Sequence, residues 1–269
     1  MTDLHYDTRG SGPFLLVIPG GAGDPTALDP MADVLAEHFT VVTYDPLGLA
    51  HGHLGLPVAD QRVEDWSEGA RRVLDAVLPE GESAYVFGTS AGSVPALDLL
   101  TRHPERLRHV IAHEPPCVGL LPDGARQQAA FREVCDVYRA EGPAAAAARM
   151  TAVLEERVPE DSAPVGQPLS REEELTNPMA LMLAHVLRPF TSYMPKAEPP
   201  HVRLTLAAGT DSRGQLLYRN AQILADTLHG DFVELPGGHI GTVQHPVAFA
   251  EGLVKTLLTV TAPGVSPTP

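Results

Sequence analysis

The sequence predicts an α/β fold, a mostly parallel twisted sheet flanked by helices and interrupted by an all-helical insertion. Three observations predict it. Apolar runs of strand length alternate with segments of helical periodicity over residues 1–114. The alternation then stops, and no convincing strand appears from Pro115 to Pro200. It resumes over residues 201–261. Strands joined through helices lie parallel, because only a crossover over one face of the sheet can connect them.

Each element has a local reason. Phe14–Ile18 is an apolar run between Gly-Pro and Pro-Gly and reads as a buried strand. Thr26–His38 reads as a helix with Pro30 in its first turn, where the missing N–H costs nothing. Phe39–Tyr44 is the next strand, and the glycine-containing stretch Asp45–Pro57 a loop. Within Val58–Leu78, the residues Val63, Trp66, Ala70, Val73 and Val77 recur at helical spacing. Ala84–Phe87 is a strand, Ala91–Arg102 a helix and Leu107–His113 a strand.

In the insertion, Gly124–Ala140 and Pro143–Arg157 read as helices, the second through its alanine run. Val158–Pro168 is proline-rich and reads as a loop. Leu169–Asn177 and Met179–Arg188 read as two further helices. Beyond it follow the strand Val202–Ala208, the helix Gln215–Leu228, the strand Phe232–Leu235 and the helix Pro246–Val260. Residues 262–269 are rich in Pro, Ser and Thr and read as a disordered tail. The insertion, residues 115–200, is far longer than an ordinary connection. It follows the C-terminal end of a strand, where ligands bind in open α/β sheets, so it reads as a cap or lid.

Composition narrows the function. A formal net charge of −15 repels phosphate backbones and anionic headgroups, which argues against nucleic-acid and membrane partners. The N-terminus lacks the basic and apolar regions of a signal peptide, and no stretch reaches the ~18 apolar residues of a membrane span, so a cytoplasmic location is expected. Cys117 and Cys135 have neither disulfide-framework nor zinc spacing and read as free thiols. His51 and His53 flank a glycine but have no third ligand at fixed spacing, so no metal is expected.

The chemistry centres on Gly88-Thr89-Ser90-Ala91-Gly92. The pattern alone is weak, but here an apolar strand precedes it and a helical pattern follows at once. A serine on a strand-to-helix turn projects its hydroxyl, and the helix N-terminus favours negative charge developing there. A serine hydroxyl needs an adjacent base. His239, in the loop Pro236-Gly237-Gly238-His239 after a strand, is best placed among twelve histidines. The base needs an acid to fix its tautomer. Asp211, after the strand Val202–Ala208, is the first choice, and Glu114, after Leu107–His113, is the alternative. The oxyanion donors would be the N–H groups of Ala91 and of Gly21, or alternatively Ala22, in Pro19-Gly20-Gly21-Ala22-Gly23. Met150, Met179, Met182 and Met194 fall in the insertion, where ordinary helix packing explains them better than a substrate wall does.

Together these pieces resemble the α/β-hydrolase superfamily. The matching residues are Pro19-Gly20-Gly21-Ala22-Gly23, Asp45-Pro46-Leu47-Gly48, the Gly-Thr-Ser-Ala-Gly turn, Gly209-Thr210-Asp211 and Gly238-His239, in the order Ser, Asp, His. The resemblance implies an eight-strand-type sheet, a cap over the site and hydrolysis of esters or related acyl compounds without a cofactor. Pro19 stands where relatives often carry His, and Pro46-Leu47 where many carry an arginine, which blurs the subfamily. Serine rather than aspartate at the turn points away from epoxide and haloalkane hydrolysis and towards acyl transfer, with a small, hydrophobic acyl compound as the expected substrate. A lactonase or ring-opening or ring-closing enzyme using the same residues is one alternative. A non-catalytic binding protein on the same fold is another.

Overall fold

The computed structural model describes residues 5–21, 25–46, 56–158, 166–196 and 202–259. The buried runs form strands as their composition dictates. Seven strands are described: β1 (Tyr6–Arg9), β2 (Phe14–Ile18), β3 (Thr40–Tyr44), β4 (Ala84–Thr89), β5 (Leu107–His113), β6 (Arg203–Gly209) and β7 (Asp231–Leu235). They lie in the order β1-β3-β2-β4-β5-β6-β7, all parallel except β1, which pairs antiparallel with β3.

Alternate residues of the central strands face opposite sides, and each side is covered by helices. Leu16, Ile18, Val86, Val110, Ala112 and Leu206 pack on one face with residues of α2 (Val63–Val77), α3 (Ser93–Arg102) and, further along, Leu216–Thr227. Leu15, Val17, Phe87, Ile111 and Ala207 pack on the other, with α1 (Asp29–Leu35) and Pro246–Leu258. Each large side chain so buried stabilises the fold by about 1.5–3 kcal/mol relative to exposure. Coverage of both faces is why these strands read as continuous apolar runs.

β1 carries no strand signal in the amino-acid sequence. It is an edge strand with charged residues and an exposed surface, so it carries no apolar run. The other strands fall within a few residues of expectation. The seven described strands compare with the eight-strand type that the family resemblance implies.

Between β5 and β6 the described residues form helices only: α4 (Gly124–Glu141), α5 (Pro143–Leu154), α6 (Arg171–Leu175), α7 (Pro178–Leu181) and α8 (Leu187–Thr191), with a short 3-10 turn at Val118–Leu120. A π-helical turn, Met182–Val186, joins α7 to α8. Pro189 explains part of this irregularity. It has no N–H to offer the His185 carbonyl, which instead accepts the N–H of Gln61, 2.8 Å away, outside the insertion. Trp66 of α2 packs edge-on against Phe190 with ring centres 4.9 Å apart. Arg219, on α9 (Leu216–Thr227), holds Asp123 at 2.9 Å and Glu156 at 2.8 Å, at the two ends of the α4–α5 hairpin. The last helices are α10 (Gly241–Gln244), which the sequence does not predict, and α11 (Pro246–Leu258). Among the described residues no helix is long and apolar enough to cross a membrane. The tail at residues 262–269, the His51 and His53 loop, Ala22 and most of Val158–Pro168 lie outside the described residues.

Candidate active site

The strand order creates the site. From β2 the chain steps to β3 on one side, then returns so that β4 lies on the other. Loops leaving the C-terminal ends of β2 and β4 therefore diverge, and the crevice between them is where open α/β sheets bind ligands. Gly20–Gly21 follows β2 and Ser90 follows β4, so both stand at this switch point.

The turn at Ser90 is tight for identifiable reasons. Ser90 has φ 51°, a left-handed conformation that costs a non-glycine residue about 1–2 kcal/mol. A Cβ on Gly88 would lie 2.4 Å from the Gly92 carbonyl oxygen, and one on Gly92 would lie 2.3 Å from the carbonyl oxygens of both Ile18 and Pro19. Only glycine fits at either place, which is the physical content of the motif. The Ser93 hydroxyl donates to the Ser90 carbonyl and closes the turn. Ser90 remains half-buried at the start of a helical segment.

Ser90 Oγ lies 3.0 Å from His239 Nε2, across 149 residues of sequence. His239 Nδ1 donates to Glu114 Oε2 at 2.7 Å. The other carboxylate oxygen, Oε1, accepts the Gly209 N–H at 2.9 Å. Glu114 is 1% exposed. Burial pushes its pKa up, but the hydrogen bond and charge of the His239 ring outweigh burial and hold it at about 2. The carboxylate is thus ionised across the physiological range.

The carboxylate beside His239 is therefore that of Glu114, the alternative, and not that of Asp211, the first choice. Asp211 does lie after β6, as expected, but its side chain is exposed and accepts only the Thr210 hydroxyl at 3.4 Å, while its backbone N–H donates to the Gly237 carbonyl. It meets neither His239 nor the helix start, where no side-chain cap forms. Glu114 takes the position because the chain turns sharply there, at φ 45°. The β6 loop contributes its backbone instead. A Cβ on Gly209 would fall 2.3 Å from the Gly237 carbonyl oxygen, so a glycine lets the His239 loop sit directly on the end of β6.

Ala91 and Gly21 are neighbours: a Cβ on Gly21 would stand 3.2 Å from the Ala91 Cβ. Gly20 passes over Ser90, with its would-be Cβ 3.4 Å from Ser90 Cβ. His113, next to Glu114, is wholly buried, with Nδ1 3.2 Å from the Thr89 hydroxyl and its ring edge-on to Phe249. Burial lowers its pKa to about 4, despite the adjacent Glu114 charge, so it is neutral near pH 7.

A cavity of about 600 Å³ opens over Ser90 and His239. Much of its wall comes from the insertion, through Phe131, Met150, Leu154, Met179, Met182 and Val186. Three of the four methionines, Met150, Met179 and Met182, therefore line the cavity, where helix packing alone is the expectation. Met194 lies elsewhere, against Gly119. Local periodicity sets no register for these helices against the sheet, so their lining residues are not legible in the chain. For Glu114 no pattern in the chain sets it apart, since like Asp211 it stands just beyond the end of a parallel strand.

No family model matches the chain. Curated proteins similar along nearly all of it include two named as hydrolases. The uncharacterized hydrolase YraK of Bacillus subtilis is 34% identical over 253 residues, covering 93% of this chain and 91% of that protein. The zearalenone hydrolase of Cladophialophora bantiana is 27% identical over 268 residues, covering 94% and 91%. Among solved structures, a hydrolase from Pseudomonas aeruginosa superposes with a TM-score of 0.65 at 19% identity, covering 95% of this chain and 94% of that one.

Proposed function

We propose that this chain, which belongs to the α/β-hydrolase superfamily, cleaves a carboxylic ester or related acyl compound through an acyl-enzyme on Ser90. One observation carries the proposal: Ser90, His239 and Glu114 are joined by hydrogen bonds of 3.0 and 2.7 Å, with Ser90 held in a strained turn at the mouth of an apolar cavity.

In this mechanism His239 Nε2 takes the proton of Ser90 as Oγ attacks the carbonyl carbon. Glu114 keeps the Nδ1 proton in place and stabilises the imidazolium. The N–H groups of Ala91 and Gly21 receive the negative charge on the carbonyl oxygen. His239 then hands its proton to the leaving oxygen, and the carbon–oxygen bond breaks. Water enters, His239 removes its proton, and collapse of the second tetrahedral intermediate frees the acid and Ser90. The insertion is the cap in this scheme. Its apolar side chains receive the hydrophobic part of the substrate and thin the water around the charges, which strengthens them.

The test is a series of p-nitrophenyl esters of increasing chain length, with zearalenone added because a relative is named for acting on it. Wild type should turn over at least one member with a pre-steady-state burst of one equivalent. Ser90→Ala and His239→Ala should each lose at least 10³-fold in kcat, on the scale of removing one member of such a triad. Unchanged rates in either variant would reject the mechanism.

A further inference from the structure

We propose that Gln215 and Thr242 form a neutral polar subsite in the cavity, which recognises a second hydrogen-bonding group on the leaving-group side of the substrate; the inference rests on the hydrolase reading above.

It follows from accounting for every polar side chain that lines the cavity among the described residues. Ser90 and His239 hold each other. The Thr89 hydroxyl pairs with His113. Thr151 donates to the Ala147 carbonyl at 3.0 Å. Glu155 is paired with Arg157. Two side chains remain, the amide of Gln215 and the hydroxyl of Thr242, and neither hydrogen-bonds to another described residue. Thr242 is only 4% exposed, and Gln215 is half-buried. Unpaired polar groups bordering an otherwise apolar cavity are suited to a ligand's polar atoms.

Their position identifies the part of the substrate. Gln215 ends the loop that leaves β6, immediately before α9, and Thr242 lies in α10, three residues after His239. Both therefore stand on the side of His239, which protonates the leaving oxygen. The acyl carbon is bonded to Ser90, so groups flanking His239 meet the alcohol portion.

Their chemistry identifies the group. Gln offers two N–H donors and a carbonyl acceptor, and Thr one donor and an acceptor. Among the described residues no Lys or Arg lines the cavity and one carboxylate (Glu155) does, and the chain carries a net charge of −15. The matching substituent is neutral, a hydroxyl or a ketone, on an alcohol that is otherwise apolar. A site built to pair with such a group rejects the analogue lacking it, because its own donors are then stranded.

The experiment compares kcat/KM for cyclohexyl hexanoate with the monohexanoates of 1,3- and 1,4-cyclohexanediol, which differ by one hydroxyl in the alcohol. Wild type should prefer at least one hydroxylated ester by tenfold or more. Gln215→Leu and Thr242→Val should each bring that ratio towards one, with Gln215→Met as a second replacement should Gln215→Leu fail to fold. Equal wild-type turnover of all the esters, or a preference that survives both variants, would overturn the subsite and leave the hydrolase mechanism standing. Absence of Ser90-dependent turnover of these esters and of the p-nitrophenyl series alike would overturn both.

Discussion

Replacing Glu114 by glutamine should disable the site through the wrong tautomer of His239. Glu114 Oε1 accepts the Gly209 N–H at 2.9 Å, and Oε2 accepts His239 Nδ1–H at 2.7 Å. In Glu114→Gln the amide oxygen must stay opposite Gly209, because an NH₂ there would face another donor. The NH₂ then points at His239, whose Nδ1 must become the acceptor. The ring proton moves to Nε2, the atom 3.0 Å from Ser90 Oγ, and the base is lost. A carboxylate-to-amide change of this kind in a Ser-His-Asp triad costs about 10⁴ in kcat, and at about 1.36 kcal/mol per decade that is about 5 kcal/mol in the barrier. The fold should survive, since shape and the Gly209 bond are kept. The assay is kcat on the best p-nitrophenyl ester, with circular dichroism melting of the same samples. Asp211→Asn is the control and should stay within about twofold of wild type, a difference of roughly 0.4 kcal/mol. A large loss in Asp211→Asn with near-normal Glu114→Gln would refute the reasoning and return the acid to the β6 loop.

Further outcomes follow from the backbone and the buried histidines. His109 and His113 are both buried, with pKa values lowered to about 4 from an ordinary 6.5. Below pH 6.5 the unfolded chain takes up protons that the folded one refuses, so their stabilisation is full above pH 6.5 and is lost between about 6.5 and 4. The loss is at most about 3 kcal/mol per histidine. Urea unfolding at pH 7.5 and pH 5 should show it, and identical midpoints would contradict it. Glu114 acts in a lower window, its contribution fading as pH falls from about 4.5 towards 2. Gly92→Ala should destabilise the fold by about 3 kcal/mol or more, since the new Cβ would lie 2.3 Å from two carbonyl oxygens. A melting temperature within a degree of wild type would show that the turn relaxes freely. Ser90→Gly should be more stable than Ser90→Ala by about 1 kcal/mol, because only glycine is unstrained at φ 51°. Equal melting temperatures would mean that the turn is not strained.

The fold and half of the site could be read directly. The strand before Ser90 and the helix after it were visible in Ala84–Phe87 and Ala91–Arg102, and the glycines at 88 and 92 mark where backbones touch. His239 was legible because a glycine-rich loop after the last strand has one natural destination, the C-terminal edge of the sheet. The acid was harder. Glu114 and Asp211 both end parallel strands at that edge, and what separates them is a left-handed residue at 114 and the Gly209 N–H, neither of which leaves a pattern in the chain. β1 escaped because an exposed edge strand needs no apolar alternation. The cavity wall escaped because contacts such as Met182 against Gly21 depend on how the insertion folds back over residues 161 positions earlier in the chain, which local periodicity does not encode.

The central claim is that Ser90 is an activated nucleophile. Intact mass after exposure to a serine-directed fluorophosphonate tests it most directly, with wild type and Ser90→Ala run side by side. The mechanism predicts a single adduct on wild type, mapped to Ser90, and none on the variant. An unmodified wild type that is fully folded, or equal labelling of both proteins, would contradict it.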